Sequence, residues 1–295
     1  MKILVVGSGG QLGRELKKLH STEDVHSWIF ANRDQLDLQE ADDLKRLDEW
    51  KPDMVVNCAA YTQVDKAEEE VYTCWEINAL GAGRLAKKCN EMGSWLIHVS
   101  SDYVYHHNPG RPIKEEDPLF PRGIYAASKA GGEVLVRQFN SKHIVIRTSW
   151  LYGNDGPNFV KTMIRLGESK NEIKVVADQW GSPTYTYDLA KAIRKIIRTL
   201  ADSPHADYAG TYHYVNEGII SWHGFAREIM QEMGYDTKVL PITSEEYPAA
   251  APRPGWSSLS LSKIKRVFDI FPPHWRISLQ SYLQELKKQG DSQAH

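Results

Sequence analysis

The chain is poor in cysteine. Only Cys58, Cys74 and Cys89 occur in 295 residues, an odd number with no Cys-x-x-Cys spacing, so neither a disulfide framework nor a cysteine zinc site is expected. They read as reduced thiols packed as small hydrophobes. An excess of either charge is also missing. Lys+Arg 36 against Asp+Glu 38 leaves a net charge of -2, which supplies no global field for nucleic acid or an anionic membrane. No stretch approaches the roughly 18 apolar residues of a membrane span. After Met1-Lys2 the run Ile3-Leu4-Val5-Val6 is too short for a signal-peptide core. Internal repeats and low-complexity tracts are absent too. The expectation is a soluble, cytoplasmic protein, in which an anionic small molecule would need a local basic site.

With 41% hydrophobic and 25% charged residues, the chain can bury a large core as one α/β unit or as a domain with a smaller partner. Ile3-Leu4-Val5-Val6 has the pattern of a strand buried on both faces of a parallel sheet. It opens into Gly7-Ser8-Gly9-Gly10-Gln11-Leu12-Gly13, followed by helical spacing from Arg14 to Leu19. Strand, glycine turn and helix in that order suit a dinucleotide. Gly7 permits the tight turn, Gly10 lets the backbone approach a pyrophosphate at the helix N-terminus, and Gly13 lets the helix pack close to the sheet.

Trp28-Ile29-Phe30-Ala31 reads as the second strand, with Asn32-Arg33-Asp34 at its carboxyl end. An arginine there pairs with a 2′-phosphate, whereas a carboxylate accepts from both ribose hydroxyls. Asn32 and Arg33 favour NADP(H); Asp34 is the NAD-type acid if the strand ends one residue later. Asp37 in Leu36-Asp37-Leu38 either meets the adenine amino group or caps the helix around Asp42 to Trp50. Met54 to Ala60 is a buried strand ending in small residues, Ala59 and Ala60, which let a dinucleotide lie across the sheet edge. A loop from Tyr61 and Thr62 runs into a helix, and Asn78 stands in the helix that continues to Asn90, polar in core-like company.

Trp95 to Val99 is a further strand that delivers Ser100-Ser101-Asp102-Tyr103 to the carboxyl edge, where ligands of doubly wound sheets bind. After a proline-punctuated loop come Tyr125-Ala126-Ala127-Ser128-Lys129. Tyrosine and lysine one helical turn apart share a face. An ammonium beside a phenol is expected to lower the phenol pKa, which suits proton transfer at a carbonyl or alcohol. His106 and His107 in that loop are read as solvated rather than metal-binding. The strand Ile144 to Thr148 ends at Trp150, either a stacking platform for a sugar or a core residue. Lys174 to Ala177 leads into a turn-rich connector, Asp188 to Leu200 is an amphipathic helix, and Tyr212 to Val215 is expected to return to the main sheet. From Ser221 onward short helices and proline-rich loops suggest a smaller lobe. Arg253 there either binds a diphosphate or lies free on the surface, and a frayed tail is expected from Gly290 to His295.

Gly7-x-x-Gly10-x-x-Gly13, Asn78, Ser101 and Tyr125-x-x-x-Lys129 together resemble the extended short-chain dehydrogenase/reductase superfamily. Ser101-Asp102-Tyr103-Val104, Val64-Asp65-Lys66-Ala67-Glu68, Thr148-Ser149-Trp150-Leu151-Tyr152-Gly153, Asp178-Gln179-x-Gly181-x-Pro183-Thr184 and Arg253-Pro254-x-x-Ser257 narrow the resemblance to the family of dTDP-4-dehydrorhamnose reductases. The chain departs from that family in carrying Ser101 for its usual threonine and Tyr61 for a histidine before Thr62.

The resemblance implies an α/β, Rossmann-like doubly wound parallel sheet with a smaller C-terminal substrate-binding lobe. Residues 1–155, rejoined by 174–217, would bind NADP(H), and 218–290 with 156–173 would bind substrate. Catalysis is assigned to Tyr125, Lys129 and Ser101. Cofactor contacts are expected from Gly7, Gly10, Gln11, Leu12, Gly13, Asn32, Arg33, Asp37, Leu38, Ala59, Ala60, Tyr61, Thr62, Asn78, Tyr125 and Lys129. Ser101, Asp102, Tyr103, Trp150 and Arg253 would meet a dTDP-sugar, and no residue is assigned to a metal. NAD(H) as a second cofactor and homodimers held through Mg²⁺ and interface carboxylates follow from the resemblance alone. Two rivals share the scaffold: a nucleotide-sugar epimerase or 4,6-dehydratase, against which Asp102 followed by non-acidic Tyr103 speaks, and a non-catalytic NADP-sensing subunit.

Overall fold

The computed structural model describes residues 1–20, 25–203 and 207–293. In the first half β1 (Lys2–Val6), α1 (Gln11–His20), β2 (Ser27–Ala31), α2 (Arg46–Trp50), β3 (Met54–Asn57), α3 (Val71–Trp75), α4 (Ala82–Met92), β4 (Trp95–Ser101), α5 (Ile124–Phe139) and β5 (His143–Thr148) alternate. A π-helical stretch, Glu76–Gly81, joins α3 to α4 without a break. The second half holds β6 (Leu151–Tyr152), α6 (Phe159–Ser169), β7 (Glu172–Val176), β8 (Trp180–Gly181), β9 (Thr184–Tyr185), α7 (Thr186–Asp202), β10 (Gly210–His213), β11 (Ile220–Ser221), α8 (Trp222–Met233), β12 (Lys238–Ile242), β13 (Trp256–Ser257), α9 (Ser262–Phe268) and α10 (Trp275–Gln293).

Six parallel strands form the main sheet in the order β2-β1-β3-β4-β5-β10. Its central strands are mostly apolar, with helices covering both faces. On one face Ile3, Val5, Val56 and Ile97 pack with Leu189, Ile193 and Ile197 of α7; on the other Leu4, Val55 and Leu96 meet Leu85, Ala86 and Val136 of α4 and α5. The chain leaves β1 for β2 on one side and returns to β3 on the other, so the strand order reverses at β1. That reversal opens a crevice beyond the carboxyl ends.

The second lobe is organised around Tyr152, Met163, Phe225, Ile229, Leu279 and Tyr282, and its boundaries differ from those expected. β7 does not join the main sheet but pairs in parallel with β12. Its Glu172 and Lys174 face out while Ile173 and Val175 are buried, a one-faced strand unsuited to a sheet covered on both sides. The return to the main sheet comes with α7 and β10. Conversely α9, expected in the smaller lobe, packs Ile264 and Phe268 into the main core beside Tyr212, since apolar residues four apart give even a short helix one buried stripe. α10 is helical through Gln293, past the expected fraying point; residues 294–295 lie outside the described residues. Among the described residues no helix is long and apolar enough to cross a membrane.

Candidate active site

The crevice at the reversal has a volume of about 680 Å³ and runs from the glycine turn to Tyr125 and Trp150. Its floor is set by backbone crowding. Gly7 has φ 77°, and a Cβ there would stand 2.5 Å from the Ala59 nitrogen; a Cβ on Gly13 would stand 2.5 Å from the Gly7 carbonyl oxygen. Both positions therefore require glycine. The turn is tied to β2 by Gly7 and Ser8, whose amides donate to the Ala31 carbonyl at 3.0 Å each. Gly9, Gly10, Gln11 and Leu12 line the crevice, and α1 directs its N-terminus there, where unpaired amides and the helix dipole favour an anion. This arrangement fits a dinucleotide pyrophosphate. Asp155, Gly156 and Pro157 form the opposite wall, with Gln11 donating to the Pro157 carbonyl at 3.4 Å and Asp155 paired to Lys18 at 3.0 Å. Nothing in the local sequence pattern marks this loop.

Several expected cofactor contacts have other partners. Arg33 is exposed at the tip of β2 and donates to Asp37 at 2.8 Å. Asp37 also accepts from the Gln39 amide at 3.0 Å, so it braces its own turn, and Glu40 rather than Asp37 is the cap residue of the following helical turn. Leu38 is buried, and its carbonyl accepts from Arg84 at 2.6 Å. Ala60 and Thr62 line the crevice, with Cys58 and Val64 beside them, while Ala59 lies under Gly7. Burial pushes the Cys58 thiol up to about 12, which leaves it unreactive.

Tyr61 and Asn78 stand behind the wall rather than in it. Tyr61 packs in one apolar cluster with Tyr125, and its hydroxyl donates to Glu70 at 2.8 Å. Asn78 is buried in the π-helical stretch; its oxygen accepts from the Tyr61 amide at 2.9 Å and its nitrogen donates to the Tyr61 carbonyl and to Ser128, both at 3.1 Å. One amide thus fastens the Tyr61–Thr62 loop to α5, and interruptions of this kind in a helix favour functional sites.

α5 is preceded by Gly123, φ 83°, where a Cβ would meet a Glu68 oxygen at 2.7 Å. That oxygen accepts from the Ile124 amide at 2.8 Å and anchors the helix start. Tyr125 and Lys129, one turn apart, both line the crevice, facing Ser101 and Asp102 at the end of β4. The Ser101 hydroxyl donates to Asp102 at 3.0 Å and accepts from the Tyr103 amide at 3.2 Å. Tyr103 meets Tyr125 edge to face, centroids 5.3 Å apart. His106, expected to be solvated, is half-buried with its ring turned against Tyr103.

The expected lowering of the tyrosine pKa is not found. Burial pushes the Tyr125 phenol up to about 12, against the downward pull of its hydrogen bond with Ser101. Lys129 instead donates to the Val99 carbonyl at 2.8 Å. Burial pushes its ammonium down to about 8, opposed chiefly by the Glu133 carboxylate. Glu133 is itself fully buried and held ionised by Arg147, 2.6 Å away, and by the Ser100 hydroxyl. Burial raises Asp102 to about 6, opposed by hydrogen bonds from Ser257 and Ser101. A phenol that keeps its proton is a proton donor at neutral pH, the form that reduction of a carbonyl requires.

Trp150 lines the crevice, while Arg253, which is not among the lining residues, pairs with Asp65 at 2.6 Å and lies 5.9 Å over the Tyr103 ring. Among the described residues no group of three or more His, Cys, Asp or Glu could hold a metal ion.

Comparison with known proteins agrees with this geometry. The family model described as "RmlD substrate binding domain" matches residues 1–288. The chain is 42% identical to the spore coat polysaccharide biosynthesis protein SpsK of Bacillus subtilis, over 96% of this chain and 97% of that one. A crystal structure of a dTDP-4-dehydrorhamnose reductase from Clostridium acetobutylicum is similar with a TM-score of 0.91 and 40% identity, covering 97% and 100% of the two chains. The corresponding Bacillus anthracis reductase, solved in complex with NADP, gives 0.89 and 37%, covering 96% and 99%. With the glycine turn, Ser101, Tyr125 and Lys129 assembled around one crevice and this similarity running along nearly the whole chain, the protein belongs to the dTDP-4-dehydrorhamnose reductase family.

Proposed function

We propose that the protein reduces the C4 ketone of dTDP-4-dehydro-β-L-rhamnose to dTDP-L-rhamnose with NADPH, the last step in making this sugar donor for cell-surface polysaccharide. The observation that carries the reading is the meeting of Ser101, Tyr125 and Lys129 with Gly9 to Leu12 in one crevice. NADPH, when bound, supplies the hydride. Gly9, Gly10 and the α1 N-terminus would hold its pyrophosphate, and the exposed Arg33 would pair with its 2′-phosphate after releasing Asp37. NAD(H) would lack that last contact and bind less tightly.

Within the crevice Ser101 orients the substrate carbonyl by hydrogen bonding, and Tyr125 donates a proton to the oxygen as negative charge develops on it. Lys129, whose side chain lines the same crevice, would hold the nicotinamide ribose. Arg253, a planar fork with a phosphate-matching geometry, would meet the nucleotide diphosphate. The main sheet would thus carry the cofactor, and the lobe built on β7, α6, α8 and α10 would carry the sugar nucleotide.

The test is to follow NADPH absorbance with dTDP-4-dehydrorhamnose and with other 4-keto nucleotide sugars. Tyr125→Phe is expected to bind NADPH normally and to lose about 10² to 10⁴ in turnover, the usual contribution of a positioned acid. Full activity in that variant, or no net consumption of NADPH by the wild type, overturns the reading. The second outcome is what an epimerase, a dehydratase or a non-catalytic sensor would give.

A further inference from the structure

Trp150 is held in a conformation that aromatic residues seldom adopt. Its φ is 50°, a genuine outlier for a bulky side chain that persists only where neighbouring structure enforces it. The enforcement is visible on both sides. The Ser149 hydroxyl donates to the Ser182 carbonyl at 2.8 Å, and the Trp150 carbonyl accepts from the Thr184 amide at 3.1 Å. Leu151 and Tyr152 then pair in parallel with Thr184 and Tyr185.

The indole is as constrained as the backbone. Trp222, the first residue of α8, lies flat against it with ring centroids 3.4 Å apart and planes 9° from parallel. Phe159 supports Trp222 from behind at 4.5 Å, and the Trp222 amide donates to the Gln179 carbonyl at 3.4 Å. At Gly181 a Cβ would stand 2.7 Å from Trp150 Cε2, so β8 admits the ring only because that residue has no side chain. Trp150 lines the crevice, and Trp222 does not. An indole has two faces. With one covered by Trp222, Trp150 can offer the crevice only its other face and its edge.

The geometry points to Trp222 as a positioning residue for sugar recognition: it backs the Trp150 ring, with Gly181 leaving the space, so that a fixed apolar wall meets the sugar ring. The sugar's identity rests on the reductase reading, but the clamp itself does not. Trp222 belongs to the second lobe and Trp150 follows directly from a strand of the main sheet. The wall is therefore complete only when the lobes are seated on each other.

The experiment measures steady-state kinetics at saturating NADPH, together with circular dichroism, where two parallel indoles give an exciton couplet. Trp222→Leu is expected to lose the couplet and to raise the KM for the dehydro-sugar nucleotide about 3- to 10-fold, the size of one aromatic stacking contact. The kcat and the KM for NADPH should stay within about twofold, as expected when binding common to ground and transition states is lost. Trp222→Phe should also lose the couplet yet restore most of the KM, which a change in folding alone would not do. Gly181→Ala, acting from a different strand with Trp222 intact, should raise the same KM, and it serves if Trp222→Leu fails to fold. In a Trp150→Leu background Trp222→Leu should add nothing, because the two residues act as a unit.

An active wild type whose Trp222→Leu and Gly181→Ala variants both keep the wild-type KM overturns the clamp, as do additive effects of the two tryptophan changes. A wild type that oxidises no NADPH with any 4-keto nucleotide sugar sinks the reductase reading instead.

Discussion

Arg253 reaches the Asp65 carboxylate at 2.6 Å, with its guanidinium 5.9 Å over the ring of Tyr103, which lines the crevice. Asp65 also accepts from the Ala251 amide at 3.1 Å, so the 251–253 loop is moored to the loop that follows Thr62. On the proposed reading, a nucleotide diphosphate would have to take this arginine from the aspartate. Arg253→Ala is expected to raise the KM for the dTDP-sugar about 10- to 100-fold, since a hydrogen bond to a charged group contributes about 1.5 to 3 kcal/mol. The KM for NADPH should not move. Kinetics with each substrate varied in turn checks this, and equal changes in both constants would place Arg253 elsewhere.

The pH dependence of kcat/KM should show an alkaline limb near 8. Lys129 is protonated below its pKa of about 8 and loses its charge above it, and kcat/KM reports the groups of the free enzyme. Glu133, Cys74 and Cys58 raise that pKa, and burial lowers it. Glu133→Gln removes the strongest opposing influence, so the limb should move to lower pH. Breaking a buried pair by removing one partner costs about 3 to 5 kcal/mol, so this profile is to be recorded well below the variant's melting temperature.

Stability should depend on Asp102 in a predictable direction. Its pKa is raised from 3.8 to about 6 by burial. The folded state therefore holds its proton more tightly than the unfolded chain does. The associated stability is complete below about pH 4 and is lost as pH rises through 6. Asp102→Asn does not titrate, so relative to wild type it should gain about 2 kcal/mol between pH 4 and pH 7, at about 1.4 kcal/mol for each pH unit between the folded and unfolded pKa values less the part already lost at pH 4. Urea melts at the two pH values measure the difference, and a constant gap between the two proteins would refute it.

Gly13→Ala tests the glycine turn without touching any polar group. The new methyl would meet backbone atoms, Gly7 O at 2.5 Å and Ser8 Cα at 2.6 Å, which cannot rotate aside. Overpacking of this kind costs about 1 to 3 kcal/mol, and the displaced turn should weaken NADPH binding at least tenfold. Gly10→Ala, whose nearest such contact is 3.5 Å, should be far milder in the melting temperature. Calorimetry and NADPH titration of the two variants give the comparison.

The features legible in the sequence are those that depend on neighbours along the chain. The run Ile3 to Val6 into Gly7, and the one-turn spacing of Tyr125 and Lys129, carry their geometry locally, and the structure places Tyr125 and Lys129 at the crevice with Gly10. Residues whose roles are decided by distant partners are not legible in this way. Asn78 stands out in the sequence as polar in an apolar helix, but the partners it holds, Tyr61 and Ser128, lie 17 and 50 residues away. The partners of Tyr61 and Asp37, Glu70 and the Arg33 and Gln39 donors, are likewise set by the fold. Proximity alone suggests that Lys129 lowers the Tyr125 pKa; burial and the Val99 carbonyl, which decide otherwise, have no local signature. The one-faced burial of β7 is written in Glu172 and Lys174, an alternation that the neighbouring valines obscure.

The six residues from Glu76 to Gly81 wind more loosely than the helices on either side. Removing one of them would let the rod run regularly from Val71 to Met92. Because a turn closed by i→i+5 bonds carries one residue more than an α-turn, the helices on either side would keep nearly the same phase, and only the residues inside the stretch would be re-aimed. Asn78 lies inside it, so its carboxamide could no longer grip Tyr61 and Ser128 at once, and the Tyr61–Thr62 loop would lose its tie to α5. The looseness of that one coil is what aims a single amide at two segments that lie far apart in the chain.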